Sequence, residues 1–267
     1  MKNLVNLWVI GVIVAVQSFS GNVQAQDARS EGAVLVAAGS LKTAMDEIIQ
    51  TYRAQGGAVF NAKYGPSGKL RQEIEAGAIV DVFASASIEH TDVLAQKGLL
   101  GTTQIFTHND LCVIGRPEFG LRENNVLDVL NKPSVRVATS TPVSDPMGDY
   151  TWQFFRNADK ARPGFYALLD AKALKLSGAN APASGEKLPY ITAFENDRAD
   201  VYIMYCTNAV VTKKALPELD VVRIPDALNV RSAYGIAAGV RSKNGQDFVR
   251  FVMSPVAQQI LKKHGFD

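Results

Sequence analysis

Apolar positions along the chain follow two alternating rhythms. Ala33-Val34-Leu35-Val36-Ala37-Ala38 is a continuous apolar run ended by Gly39-Ser40, which predicts a strand buried on both faces. Directly after it, Leu41, Ala44, Met45, Ile48, Ile49 and Tyr52 recur at the spacing of a helix with one buried face, over 41–53. The pattern then repeats: a strand over 58–64, a turn at Gly65-Pro66-Ser67-Gly68, a helix over 69–76, a strand over 80–84 and a helix over 88–96 that stops at Gly98. Strand and helix in strict alternation predict a parallel sheet with helices on both faces. Strands follow at 111–114 and 135–138, then a helix over 147–155. The stretch 171–187, rich in Ala, Ser, Gly and Pro, is expected to be loop. A helix at 191–196, strands at 201–205, 221–224 and 234–240, and helices at 246–253 and 255–264 complete the α/β pattern.

The first segment reads differently. Lys2 precedes an almost wholly apolar stretch over 4–16, and small and polar residues lead to Val23-Gln24-Ala25. A positive start, a short apolar run and a small-x-small end predict a secretory signal peptide over 1–25. The apolar run is shorter than the ~20 residues that span a bilayer. Cleavage leaves 267 − 25 = 242 residues and, without Lys2, a formal charge of +2 − 1 = +1. The first cysteine is Cys112, so the new N-terminus carries no lipid-anchor cysteine, and the product is expected to be periplasmic and not lipid-anchored. In an exported chain Cys112 and Cys206 either form a disulfide or stay as two buried thiols. Their sequence positions leave both open.

Composition narrows the classes. With 47% hydrophobic and 20% charged residues, the chain is neither disordered nor collagen-like nor a disulfide scaffold. A net charge of +2 argues against a nucleic-acid stripe. A small anion needs no net charge, because a helix N-terminus offers free N–H donors and a partial positive charge. Three strand-to-helix junctions have that character: Gly39-Ser40-Leu41, Gly65-Pro66-Ser67-Gly68, and Thr139 to Gly148 with its Ser144-Asp145-Pro146-Met147-Gly148 end. In an open parallel sheet such junctions lie at the carboxyl ends of strands, where ligands bind. Plain helix capping accounts for each one equally well. There is no G-x-S-x-G, no P-loop and no G-x-G-x-x-G. His90, His108 and His264 are far apart in sequence and lack metal-ligand spacing.

Several of these segments resemble the periplasmic molybdate-binding proteins of ABC importers. They are Ala37-Ala38-Gly39-Ser40-Leu41, Tyr64-Gly65-Pro66-Ser67-Gly68-Lys69-Leu70 and Gly77-Ala78-Ile79-Val80-Asp81-Val82-Phe83-Ala84-Ser85-Ala86. Arg198-Ala199-Asp200-Val201-Tyr202-Ile203-Met204-Tyr205 and the closing Ser254-Pro255 to Gly265-Phe266 continue the likeness over nearly the whole mature chain. The resemblance implies a two-lobe type II periplasmic binding protein, each lobe a sheet flanked by helices. Lobe one would comprise 30–108 plus 227–267 and lobe two 109–226, with a hinged cleft between. It implies a monomer that captures a tetrahedral oxyanion of the molybdate or tungstate class for a membrane permease, with no cofactor and no catalysis.

Carried over position by position, the resemblance implies ligand contacts from Ser40, Ser67 and Tyr205, from the Pro146-Met147-Gly148 turn, and from a position near Lys187. Met147 stands where the family has a small residue, Asp145 and Asp149 bring carboxylates near the anion, and Asn208 replaces an acidic residue. Another oxyanion or a small organic acid in the same fold is therefore an alternative ligand. An exported hydrolase using Ser40 or Ser67 is a further alternative from a different class, and it lacks a nearby base. Trp152, the one tryptophan outside the signal peptide, is expected near the cleft.

Overall fold

The computed structural model describes residues 32–180 and 187–267; the expected signal peptide lies outside them. Among the described residues the strands form two five-stranded sheets. The first contains β1 (Ala33–Ala38), β2 (Phe60–Gly65), β3 (Val82–Ser85), β4 (Gln104–Asn109) and β10 (Ser232–Ala238), in the order β2-β1-β3-β10-β4. β1 pairs in parallel with β2 and β3, with Ala33 opposite Phe60 and Leu35 opposite Val82. The parallel expectation holds for these three strands and fails at β10. β10 returns from the far end of the chain and runs antiparallel to both β3 and β4, because no crossover helix turns it round.

The second sheet has the order β7-β6-β8-β5-β9. It contains β5 (Leu111–Gly115), β6 (Val137–Ser140), β7 (Leu174–Ser177), β8 (Val201–Tyr205) and β9 (Asp220–Arg223). β6 is parallel to β7 and β8, whereas β5 is antiparallel to β8 and β9. The strand β7 and the end of α6 (Phe165–Lys172) occupy part of the stretch expected to be loop. Leu-Lys-Leu-Ser is a four-residue edge strand, too short to show an alternation.

Helices cover the sheets on their apolar faces. α1 (Lys42–Ala54) buries Ala44, Met45 and Ile48 at helical spacing, and a short 3-10 turn, Gly39–Leu41, joins it to β1. α2 (Ser67–Glu75) and α3 (Ile88–Gln96) follow β2 and β3. Around the second sheet, α4 (Val126–Asn131) precedes β6, α5 (Pro146–Ala161) follows it, α7 (Pro189–Glu195) precedes β8, and α8 (Cys206–Ala215) starts where β8 ends.

The chain crosses between the sheets twice, between Asn109 and Leu111 and between Arg223 and Ser232. Side chains tie the two crossings together. Asn229 accepts from the Leu111 amide at 3.0 Å and donates to the Leu111 and Ile224 carbonyls at 3.1 and 3.0 Å. The Ser232 hydroxyl donates to the Asn109 carbonyl at 2.8 Å. The antiparallel pairing of β5 with β8 sets Leu111 opposite Tyr205, which brings Cys112 and Cys206 to a Cα–Cα distance of 4.8 Å in a disulfide. That settles which of the two cysteine states the fold adopts.

One histidine is held in an unfavourable place. Burial, and then Arg71, push the His90 imidazole down to about 4 from an ordinary 6.5, with Glu75 opposing; its Nε2 has no partner. The unfolded chain therefore binds the extra proton first. Stability is lost as pH falls from about 6.5 towards 4, by roughly 2–3 kcal/mol from this group. Urea unfolding across that window is expected to show a His90→Gln variant with a flatter acid slope than wild type. An unchanged slope would assign the acid sensitivity elsewhere.

Candidate functional site

Between the two sheets lies a cavity of about 310 Å³, at the lower end of the range for small-molecule sites. Ser40 and Pro66 line it from the first lobe; Asp145, Met147, Tyr205 and Asn208 line it from the second. Each comes from a strand end or the first turn of the following helix, the geometry of ligand sites in open α/β sheets.

Ser40 sits in the 3-10 turn after β1, and its hydroxyl is 2.9 Å from the Tyr234 hydroxyl. Tyr234 is the third residue of β10, and the pairing of β10 with β4 shifts register immediately after it. Its hydroxyl also receives a hydrogen bond from Asn109 at 3.3 Å, and the same amide donates to Thr207 at 2.8 Å. A buried polar chain thus runs from Ser40 through Tyr234 and the crossing residue Asn109 to α8. The sequence places Tyr234 only as a strand residue; its sole signal is a large polar aromatic among small neighbours, Ser232-Ala233-Tyr234-Gly235.

Tyr205 ends β8 with its ring fully enclosed and its edge against Tyr234. The Tyr205 hydroxyl is buried and makes no hydrogen bond of acceptable geometry, while Tyr234 is committed to Ser40 and Asn109. Desolvation, then the surrounding tyrosines, hold the Tyr205 phenol well above its ordinary range, so it stays a donor. A buried donor left unpaired costs about 1–3 kcal/mol, and a ligand oxygen in the cavity would relieve it. Just beyond, α8 begins with no side-chain cap and no acidic residue in its first turn.

The other expected contacts divide. Ser67 opens α2, almost wholly buried, and its hydroxyl accepts from the Ala86 amide at 3.1 Å. It stands behind the wall formed by Pro66 and Ala86 rather than in it, and its own proton is left for another acceptor. The next amides of α2, Gly68 and Lys69, donate across the cleft to the Ser144 carbonyl at 3.1 and 3.4 Å. Met147 lines the cavity, but its amide donates to Asp145 Oδ1 at 3.1 Å. The Gly148 and Asp149 amides donate to the Asp145 carbonyl. The N-terminus of α5, expected to face the anion, is therefore capped by its own aspartate. Asp149 likewise caps a loop amide, that of Val143, at 2.8 Å. Lys187 is not brought in: its ammonium is exposed and pairs with Glu195 at 2.7 Å. Solvation and that carboxylate hold it outside, and the neighbouring Leu188 lines the cavity instead.

A two-lobe frame with a cavity between its sheets is the architecture of a solute receptor. The chain belongs to the bacterial extracellular solute-binding protein family, whose model matches residues 33–267. An uncharacterized protein of Pasteurella multocida, PM1146, is 33% identical over 213 residues, 76% of this chain and 86% of that one. The molybdate-binding protein ModA of Escherichia coli is 26% identical over 246 residues, covering 88% and 89%. The sulfate-binding protein SubI of Mycobacterium tuberculosis superposes with a TM-score of 0.73 at 19% identity, covering 88% of this chain and 85% of that one. The two mixed, helix-flanked sheets are those of a type II periplasmic binding protein.

Proposed function

We propose that this protein is a periplasmic receptor that captures a small oxyanion between its lobes and delivers it to an ABC-type permease. The observation that carries the reading is the buried hydroxyl of Tyr205, a cavity-lining residue, which lies beside the Tyr234 hydroxyl without a hydrogen bond of acceptable geometry. In this reading Ser40 donates from one lobe and Tyr205 from the other, Met147 shapes the wall, and Ser67, one residue beyond the lining Pro66, reaches the anion only once the wall at Pro66 and Ala86 adjusts around it. Lobe one comprises 30–108 plus 227–267 and lobe two 109–226, hinged at the two crossings. The molybdate-binding and sulfate-binding relatives support an oxyanion of that class. A receptor role is also supported by the serines' partners, a tyrosine hydroxyl and an amide rather than a base. A larger organic anion is the second reading, favoured by the apolar share of the wall from Met147, Leu188, Pro189 and Tyr190.

A thermal-shift screen with molybdate, tungstate, sulfate, phosphate and small carboxylates tests this. The right ligand at about 100 times Kd adds roughly 2.7 kcal/mol of stability; no shift with any of them would count against the receptor reading. Ser40→Ala and Ser67→Ala are each expected to weaken binding by roughly 1–3 kcal/mol.

Trp152 offers a reporter. Its indole donates to Asp170 at 2.6 Å and packs on Phe155, and it lines a second groove shared with Ser87, Glu89 and His90 of the opposite lobe. Hinge motion changes that groove, so tryptophan emission is expected to change on binding and saturate at one ligand per chain. Heat of binding with silent emission would show that the groove does not open.

A further inference from the structure

Asp145 is the residue that the oxyanion reading does not absorb. It lines the cavity, its Oδ2 accepts from the Ser140 hydroxyl at 2.6 Å and its Oδ1 from the Met147 amide at 3.1 Å. No lysine or arginine is within ion-pair distance of it among the described residues. The titratable groups that share its electrostatic surroundings are Asp149 on the helix it caps, Tyr190 on α7, Tyr202 and Tyr205 on β8 and Tyr234 on β10. The four phenols are held above their ordinary range and stay neutral. Lys42 lines the same cavity but is paired with Asp46 at 2.9 Å. A fully deprotonated dianion entering this cleft meets a carboxylate that no cation offsets, and like charges that close in a dry site do not both persist.

We propose, resting on the oxyanion reading, that the occupied cleft holds one proton between Asp145 and the anion, so that Asp145 selects oxyanions that bring a proton. Hydrogen phosphate brings its own and donates it to a carboxylate oxygen. Sulfate and molybdate carry none at neutral pH, so with them Asp145 takes a proton from solvent and becomes the donor. Both cases give the same balance: one proton, one carboxylate oxygen and one anion oxygen sharing it. Burial already favours the protonated acid, with Ser140 and the Met147 amide opposing. Ser140 and the Met147 amide occupy both carboxylate oxygens, which aligns the group against the cavity rather than letting it swing away.

The test is titration calorimetry of the protein with sulfate, molybdate and phosphate between about pH 5.5 and 8.5, in buffers of different ionisation enthalpy, which counts protons. Binding of the proton-free dianions, sulfate and molybdate, is expected to take up close to one proton and to weaken up to about tenfold per pH unit on the alkaline side. In Asp145→Asn, which keeps an N-cap side chain, dianion binding should strengthen and lose its pH dependence. The preference for phosphate over sulfate should fall at least tenfold. Wild-type dianion binding with no proton uptake and a flat pH profile would overturn the proposal while leaving the oxyanion reading intact. The proton count on wild type stands even if the variant melts early. Absence of binding by any of the three anions in both proteins would overturn the oxyanion reading, and this proposal with it.

Discussion

Reduction of the Cys112–Cys206 disulfide is expected to lower the stability of the fold by roughly 4–5 kcal/mol. The bridge joins cysteines 94 positions apart in the sequence, and the chain-entropy cost it removes from the unfolded state grows slowly with that separation. Domains of this kind are stable by only about 5–15 kcal/mol, so the loss is a large share of the total. The bridge also fixes the end of β8 beside the crossing at Asn109 to Leu111, where Tyr205 meets the cavity. Urea unfolding of the oxidised protein and of a Cys112→Ala, Cys206→Ala double variant measures the effect. A difference below about 1 kcal/mol would mean that the unfolded chain is already compact across this loop. Two free thiols in the unfolded, unreduced protein would rule the bridge out.

Gly68→Ala is expected to weaken ligand binding by about 2–3 kcal/mol, roughly 30- to 150-fold, while leaving the fold intact. Gly68 is the second residue of α2, and a Cβ there would lie 2.2 Å from the Val143 carbonyl oxygen and 2.9 Å from that of Ser144. Those atoms belong to the other lobe, so the clash falls on the closed arrangement. The loop that makes the contact is itself strained: Val143 is β-branched with φ of 67°, a conformation costing about 1–3 kcal/mol. Asp149 accepts from its amide, and the Gly68 and Lys69 amides donate to the Ser144 carbonyl. With alanine at 68, the loop must retreat and α2 loses the acceptor for two of its free amides. Binding isotherms beside a melting curve separate the outcomes. Equal affinity would show that closure does not use this contact, and a large drop in melting temperature without ligand would make the contact structural.

Much of this frame is legible in the sequence because its strands are buried and its helices amphipathic. The run Ala33–Ala38, the 3.6-residue pattern after it and the all-apolar strand Val201–Tyr205 fall within a residue or two of their expected places. α8 escapes notice because Thr207, Val210, Val211 and Thr212 are poor helix formers. Contact with the sheet rather than propensity holds it, through buried Ala209 and Thr212. β4 escapes because Gln104–Asn109 is an edge strand of mixed character. In the site, Ser40, Met147 and Tyr205 are found at the cavity and Ser67 just behind its wall. The Lys187 ammonium lies on Glu195 and its neighbour Leu188 lines the cavity, because spacing along a chain says nothing about where a long solvated side chain finds its counter-ion. The partners that the site gains from far away, Tyr234 and Asn109 above all, become neighbours only through the double crossing.

The most direct test of the receptor account is titration calorimetry of wild type and Tyr205→Phe with molybdate, sulfate and phosphate. The variant keeps the ring and its packing and removes only the buried, unpartnered hydroxyl. The account predicts saturable binding of at least one oxyanion at one per chain, weakened by roughly 1–3 kcal/mol in Tyr205→Phe, with the free protein no less stable. Equal affinity in the two proteins, or no heat with any of the three anions, would contradict it.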